Sequence, residues 1–178
     1  MLTPPVKRFA ALLVCLALAA CGAPPPPPRE TPAPGAAGEP SLYRSLSRGG
    51  AEVDAEAARD MISQYRRNHG LNELALDARL QEVASERARA MARRGAVDTR
   101  SAGGLAARLK AAGVRGDGAA IENLSAGYDT LAEAFSGWRQ SPAHNARMLD
   151  PRARRMGLAA VHAPASKFKV FWALVLTD

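Results

Sequence analysis

Glu122 and His144 are the residues of this 178-residue chain whose types and setting could do chemistry. Glu122 opens the stretch E-N-L-S-A-G, and His144 lies within G-W-R-Q-S-P-A-H-N-A-R-M-L. A carboxylate beside an imidazole can serve as a general base, move a proton to or from a hydroxyl, or supply two ligands to a divalent ion. Ser125 and Ser141 place hydroxyls nearby in sequence, but Ser141 is better read as a helix cap, and no third residue orients His144 as a hydrolase triad requires. The structural alternative is a hydrogen-bonded Glu122–His144 pair that ties a sheet to a helix N-terminus, with Asn123 satisfying loop backbone groups.

The elements around these residues are legible from periodicity. Thr130 and Glu133 form a capping box ahead of a helix whose apolar face is Leu131, Ala134, Phe135 and Trp138. That helix stops near Gln140, because the residue before a proline is pushed out of helical geometry. Ser141-Pro142 starts another helix, with His144 as its third residue and Pro151 closing the segment. Upstream, Ala58, Met61, Ile62 and Tyr65 predict a helix over 53–68. Asp77 caps a second helix with Leu80, Val83, Ala84, Ala88 and Met91 on one face and Gly95 at its end. Leu105, Leu109 and Ala112 mark a shorter third helix before Gly113. At the C-terminus the period changes to two: Met156 to Ala163, then Phe168 to Leu176, read as strands joined by A-P-A-S-K. Both faces of the last strand are apolar, so the sheet is covered on both sides. Helices followed by strands give an α+β domain.

The remaining candidates read as structural. Trp138, Phe135, Trp172 and Phe171 are expected in the core. His69 is expected to meet carbonyls at a helix end, and His162 lies in a strand. Arg66, Arg67, Arg79, Arg87, Arg89, Arg93 and Arg94, spread among alanines, read as solvated helix faces. No aromatic residues interleave with these arginines, which argues against nucleic acid as a partner.

Residues 1–20 read as an export signal: Lys7 and Arg8 precede an apolar run from Phe9 to Ala20, shorter than the ~20 residues a membrane-spanning helix needs. The run ends in Leu18-Ala19-Ala20-Cys21, similar to a lipobox, so Cys21 is expected to carry lipid as the first mature residue. Gly22 supplies no inner-membrane retention aspartate. By resemblance to Gram-negative lipoproteins, this implies an outer-membrane lipoprotein facing the periplasm; the alternative is a Gram-positive-type anchor on the outer face of a single membrane. With Cys15 removed and Cys21 blocked, no disulfide is expected. Residues 21–50, with five prolines at 24–28, are expected to form an extended tether without fixed structure, and 51–178 a single domain. Losing Lys7 and Arg8 leaves 22 basic against 17 acidic residues, a charge of about +5. A surplus of that sign suits anionic lipid headgroups or acidic wall polymers, but its spread over helix faces reads more simply as solvated surface than as one binding patch.

Taken in order, Q-Y-R-R-N-H-G-L, L-Q-E-V-A-S-E-R-A-R-A-M-A, E-N-L-S-A-G, W-R-Q-S-P-A-H-N-A-R-M-L and the closing hairpin resemble the CAP superfamily (cysteine-rich secretory proteins, antigen 5, pathogenesis-related 1). The likeness runs over about 53–178 and is to the disulfide-free bacterial branch. The resemblance implies an α-β-α sandwich with a central antiparallel sheet and a cleft built on glutamate and histidine, which in some members binds a divalent metal. Glu122 matches the glutamate of the E-N motif and His144 the histidine of S-P-x-H. The earlier histidine is replaced: in A-V-D-T-R the matching position is Thr99, with Asp98 beside it. Two ligands make a poor zinc site, which needs at least three protein groups. The expectation is therefore a ligand cleft of Glu122, His144, Asp98, Thr99 and Asn123 with no cofactor, in a non-enzymatic, lipid-anchored envelope module. Its ligand would be a small lipid, a sterol-like molecule or a wall component. The alternative is a metal-assisted hydrolase or peptidase using Glu122 and His144, with Asp98 as a third metal ligand.

Overall fold

Three side-chain caps start the principal helices. In the computed structural model, which describes residues 40–99, 104–115 and 119–178, Asp54 accepts from the Ala57 N–H to open α1 (Ala55–Arg67). Asp77 accepts from Arg79 and Leu80 to open α2 (Ala78–Arg94), and Gly95 ends it in left-handed geometry at φ 66°. α3 is Gly104–Ala111. Thr130 accepts from Glu133 to open α4 (Leu131–Gln140). The return bond of that box goes to the N–H of Asp129, one residue earlier than the motif predicts. α5 is Pro142–Met148. Ser141 stands before Pro142 with extended backbone, but its hydroxyl makes no capping bond. The helix entry is fixed instead by the proline and by the Ser141 carbonyl, which accepts from Asn145. The expected signal segment, Cys21 and the tether as far as residue 39 lie outside the described residues.

The sheet has four strands in the order β1-β3-β4-β2. β3 (Arg155–Ala163) and β4 (Lys169–Thr177) form the predicted hairpin. β2 (Ile121–Ala126) pairs antiparallel with the other side of β4, so Leu174 lies between Leu158 and Asn123. The two-residue β1 (Ala75–Leu76) adds to β3 in parallel. The strands thus do not all follow the helices in sequence: β1 and β2 are interleaved with them.

Alternation along β4 builds the two cores that make the α-β-α sandwich. Val170, Trp172, Leu174 and Leu176 pack with α1, α4 and α5 through Ile62, Trp138 and Met148. Phe171, Ala173 and Val175 pack on the other side with Leu80, Val83, Ala84, Ala88 and Met91 of α2 and Leu109 of α3. Trp138 and Trp172 meet edge-to-face at 6.3 Å, a favourable aromatic geometry.

Two expectations from composition are corrected. Fixed structure begins before Ala51: a 3-10 turn spans Ser41–Tyr43, and Leu46 is only 4% exposed in the α1–α4–α5 core. The Leu46 N–H donates to the Asp129 carbonyl at 2.9 Å, and the Asp129 carboxylate accepts from the Ser45 hydroxyl and the Ser47 N–H. Leu46, with Leu42, Ala51 and Val53 packed against the same core and three polar bonds beside it, holds this proline- and glycine-flanked segment. Second, Arg66 is not on a solvated face. It is 0% exposed, and its guanidinium donates to the carbonyls of Asn72, Met148, Asp150 and Ala153. Arg66 follows Ala58 and Ile62 at four-residue intervals, which places it on the buried stripe of α1.

Candidate functional site

Successive side chains of a strand point to opposite faces, and this decides the fate of the E-N-L-S motif. Leu124 packs against the α2 core, so Glu122 faces α2 and α3 as well. Ile121, Asn123 and Ser125 face α4 and α5: Ser125 Oγ accepts from Trp138 Nε1 at 3.0 Å, and the Asn123 amide donates to the His144 carbonyl at 3.0 Å.

On its own face Glu122 is held by arginines. Its Oε2 accepts from Arg108 Nη2 at 3.2 Å and lies 3.5 Å from Arg87 Nε. Arg87 is 4% exposed, and its far nitrogen donates to the carbonyl of Asp98. The Asp98 carboxylate pairs with Arg94. One guanidinium thus spans the strand carrying Glu122 and the loop carrying Asp98, while Thr99 beside it is exposed.

His144 takes part through its backbone. No hydrogen bond or ion pair joins its ring to Glu122, and α5 belongs to the opposite core through Met148. The expected Glu122–His144 hydrogen bond is replaced by Asn123, which ties β2 to α5. The Asn123 Oδ1 is buried without a partner among the described residues. His69 Nδ1 donates to the Tyr65 carbonyl at 2.8 Å, closing the end of α1 as expected.

The five expected cleft residues therefore divide into two groups: Glu122, Asp98 and Thr99 around Arg87, and Asn123 with His144 beneath α5. These residues do not fit a divalent ion. Two guanidinium groups already compensate the half-buried Glu122 carboxylate, and among the described residues no three His, Cys, Asp or Glu side chains converge. Sequence reasoning missed Arg87 and Arg108. The signal for Arg87 is its spacing: it lies four residues from both Val83 and Met91, inside the apolar stripe of α2.

This arrangement predicts unequal effects for the two residues. Glu122→Gln leaves Arg87 buried beside a neutral amide and is expected to cost about 2–3 kcal/mol of stability. His144→Ala, which keeps the carbonyl that Asn123 uses, is expected to cost less than about 1 kcal/mol. Equal losses by urea unfolding would show that the side chains act as a pair after all.

Burial, and then the charge of Arg147, push the His144 imidazole below its ordinary 6.5. The unfolded chain binds that proton more readily, so the histidine's contribution is intact above about pH 6.5 and is lost as pH falls toward the folded pKa. The His144 ring resonances are expected to titrate with a midpoint below 6.5. A midpoint at or above that value would contradict the burial.

A sequence model of the CAP family, described as the cysteine-rich secretory protein family, matches residues 59–176. Among solved structures, the chain is similar to an extracellular protein containing an SCP domain from Bacillus anthracis. Identity is 22% and the TM-score 0.59, over 70% of this chain and 40% of that one. It is similar also to an outer surface protein of Borrelia burgdorferi, at 19% identity and a TM-score of 0.61, over 72% of this chain and 98% of that one. A cysteine-rich secretory protein from Staphylococcus aureus aligns at 15% identity with a TM-score of 0.56, over 70% of this chain and 38% of that one. At these identities the likeness is one of fold. The chain spans less than half the length of the Bacillus and Staphylococcus proteins. No curated protein matches it.

Proposed function

Because this chain belongs to the CAP, or cysteine-rich secretory protein, family, we propose that it is a CAP module of the bacterial cell envelope, anchored by lipid on Cys21, that binds a ligand or supports the envelope and does not catalyse. The observation that carries the non-catalytic reading is the engagement of Glu122 by Arg87 and Arg108. A general base must stand within hydrogen-bond reach of the proton it abstracts, whereas the contacts of this carboxylate are with two guanidinium groups, both through Oε2. No hydroxyl or imidazole is bonded to it among the described residues.

The envelope assignment is supported by the signal-like residues 1–20, by Cys21 after Leu18-Ala19-Ala20, and by similar folds in proteins described as extracellular and outer-surface. No helix among the described residues is long and apolar enough to cross a membrane. An outer-membrane lipoprotein facing the periplasm is the reading most consistent with Gly22 following the cysteine.

Mass spectrometry of the protein extracted intact from its envelope tests the anchor. A mature chain beginning at Cys21 with diacylglycerol attached is expected, and an unmodified Cys21 would overturn it. The same spectra report any co-purifying small molecule. Hydrolysis of peptide or ester substrates that is lost in both Glu122→Gln and His144→Ala would overturn the non-enzymatic reading.

A further inference from the structure

The hairpin end of the sheet carries an open pocket of about 550 Å³ between the last turn of α2 and the β3–β4 turn. Ala92, Val161 and Ala163 give it an apolar lining, and Arg89, Arg93 and Arg94 a basic one. Arg89 and Arg93 stand one turn apart on α2. Both are exposed, and neither meets a carboxylate among the described residues, whereas neighbouring Arg94 is paired with Asp98. Basic side chains near a helix C-terminus gain from the backbone dipole whether or not they bind anything. The dipole does not account for a cavity of ligand size in which two unpaired guanidinium groups border an apolar surface.

The course of the N-terminal segment gives a second, independent observation. Ser47, Lys167 and Lys169 line another cavity at the same hairpin. Gly49 lies against His162 so closely that a Cβ there would be 3.1 Å from Nδ1. Residues 47–49 therefore run past the end of the domain that exposes Arg89, Arg93, Lys167 and Lys169, and on their N-terminal side the chain continues through buried Leu46 to Ser41–Tyr43, which packs against α1 and α4.

We propose that this pocket holds the phosphate headgroup of an anionic phospholipid. Arg89 and Arg93 bind the phosphate through their planar forks, the geometry that favours arginine over lysine at phosphates. The glycerol and first acyl methylenes lie against Val161 and Ala163, so the hairpin end rests on an anionic leaflet. The proposal rests on the envelope reading for the nearness of a bilayer, and is independent of Glu122 and His144.

The full chain mixed with neutral phosphatidylcholine nanodiscs, and with discs containing phosphatidylglycerol, tests it. Retention on neutral discs reports the Cys21 anchor alone. The melting temperature is expected about 3 °C higher on the anionic discs. Arg89→Gln/Arg93→Gln is expected to lose that difference while melting normally on neutral discs, and Arg152→Gln, beyond the other end of β3, to keep it. Equal melting on both discs, or a difference that survives in the double variant, overturns the pocket. A shift of the same size from inorganic phosphate on neutral discs assigns the site to a free anion and overturns the lipid. A chain that leaves neutral discs yet keeps the phosphatidylglycerol shift overturns the anchor and sustains the pocket.

Discussion

Arg66→Met is expected to lower the unfolding free energy by about 3–5 kcal/mol, read as a drop in the urea midpoint with little change in slope. The new side chain has similar reach and fills most of the space, so the loss is of bonds and not of packing. Arg66 donates to Asn72, Met148, Asp150 and Ala153, which belong to the turn after α1 and the exit from α5. The carbonyls of Asn72 and Met148 are ones that a helix end and the turn after it leave without backbone partners, whereas that of Asp150 also accepts from the Ala153 N–H and that of Ala153 from Arg154. Without the guanidinium the first two stay buried and unpaired, or water must open the α1–α5 contact to reach them. Arg66→Lys is expected to recover less than half of the loss, because one ammonium cannot serve four acceptors spread around a planar fork. If Arg66→Met instead unfolds within about 1 kcal/mol of the parent, the four carbonyls are readily rehydrated and this account of Arg66 fails.

Gly157→Ala is expected to be comparably severe, at about 3 kcal/mol or more, and to reduce the yield of folded protein. A Cβ at Gly157 would sit 2.2 Å from the Leu80 carbonyl carbon and 2.4 Å from the Gln81 nitrogen. The obstruction is the backbone of α2, so relief requires lifting the first turn of the helix off β3. That movement would also strain the bonds between the Gln81 side chain and the Leu158 backbone, at 2.6 and 3.0 Å. Gly137→Ala offers the contrast: there the new Cβ would meet the ring and hydroxyl of Tyr128, a side chain able to turn aside. Its cost is expected to be smaller, and the reverse order in thermal melts would refute this account of Gly157.

Much of the architecture was legible because it depends on local rules. Asp77 and Gly95 bound α2 as predicted, and Thr130 opens α4, since caps act through atoms only a few residues away. The alternation of β4 foretold a sheet buried on both faces. β2 was not legible as a strand from its residues, because Glu and Asn are poor strand formers. It holds its place at the sheet edge because Glu122 meets arginines on one face while Asn123 and Ser125 find partners on the other.

The family, the helices, the hairpin and the two residues most able to do chemistry all follow from the order of residues along the chain. What those two residues meet follows from packing. Glu122 and His144 are 22 positions apart, and the pleat of β2 sends Glu122 to the α2–α3 face while α5 packs over the other. Arg66 and Arg87 mark the same boundary. Their spacing within apolar stripes was visible in the sequence, but charge weighed more than position in reading them as solvated. Which rule prevails depends on acceptors brought from distant parts of the chain: four carbonyls for Arg66, and Glu122 with the Asp98 carbonyl for Arg87. A buried cation is tolerated only where such partners converge, and that convergence is a property of the fold.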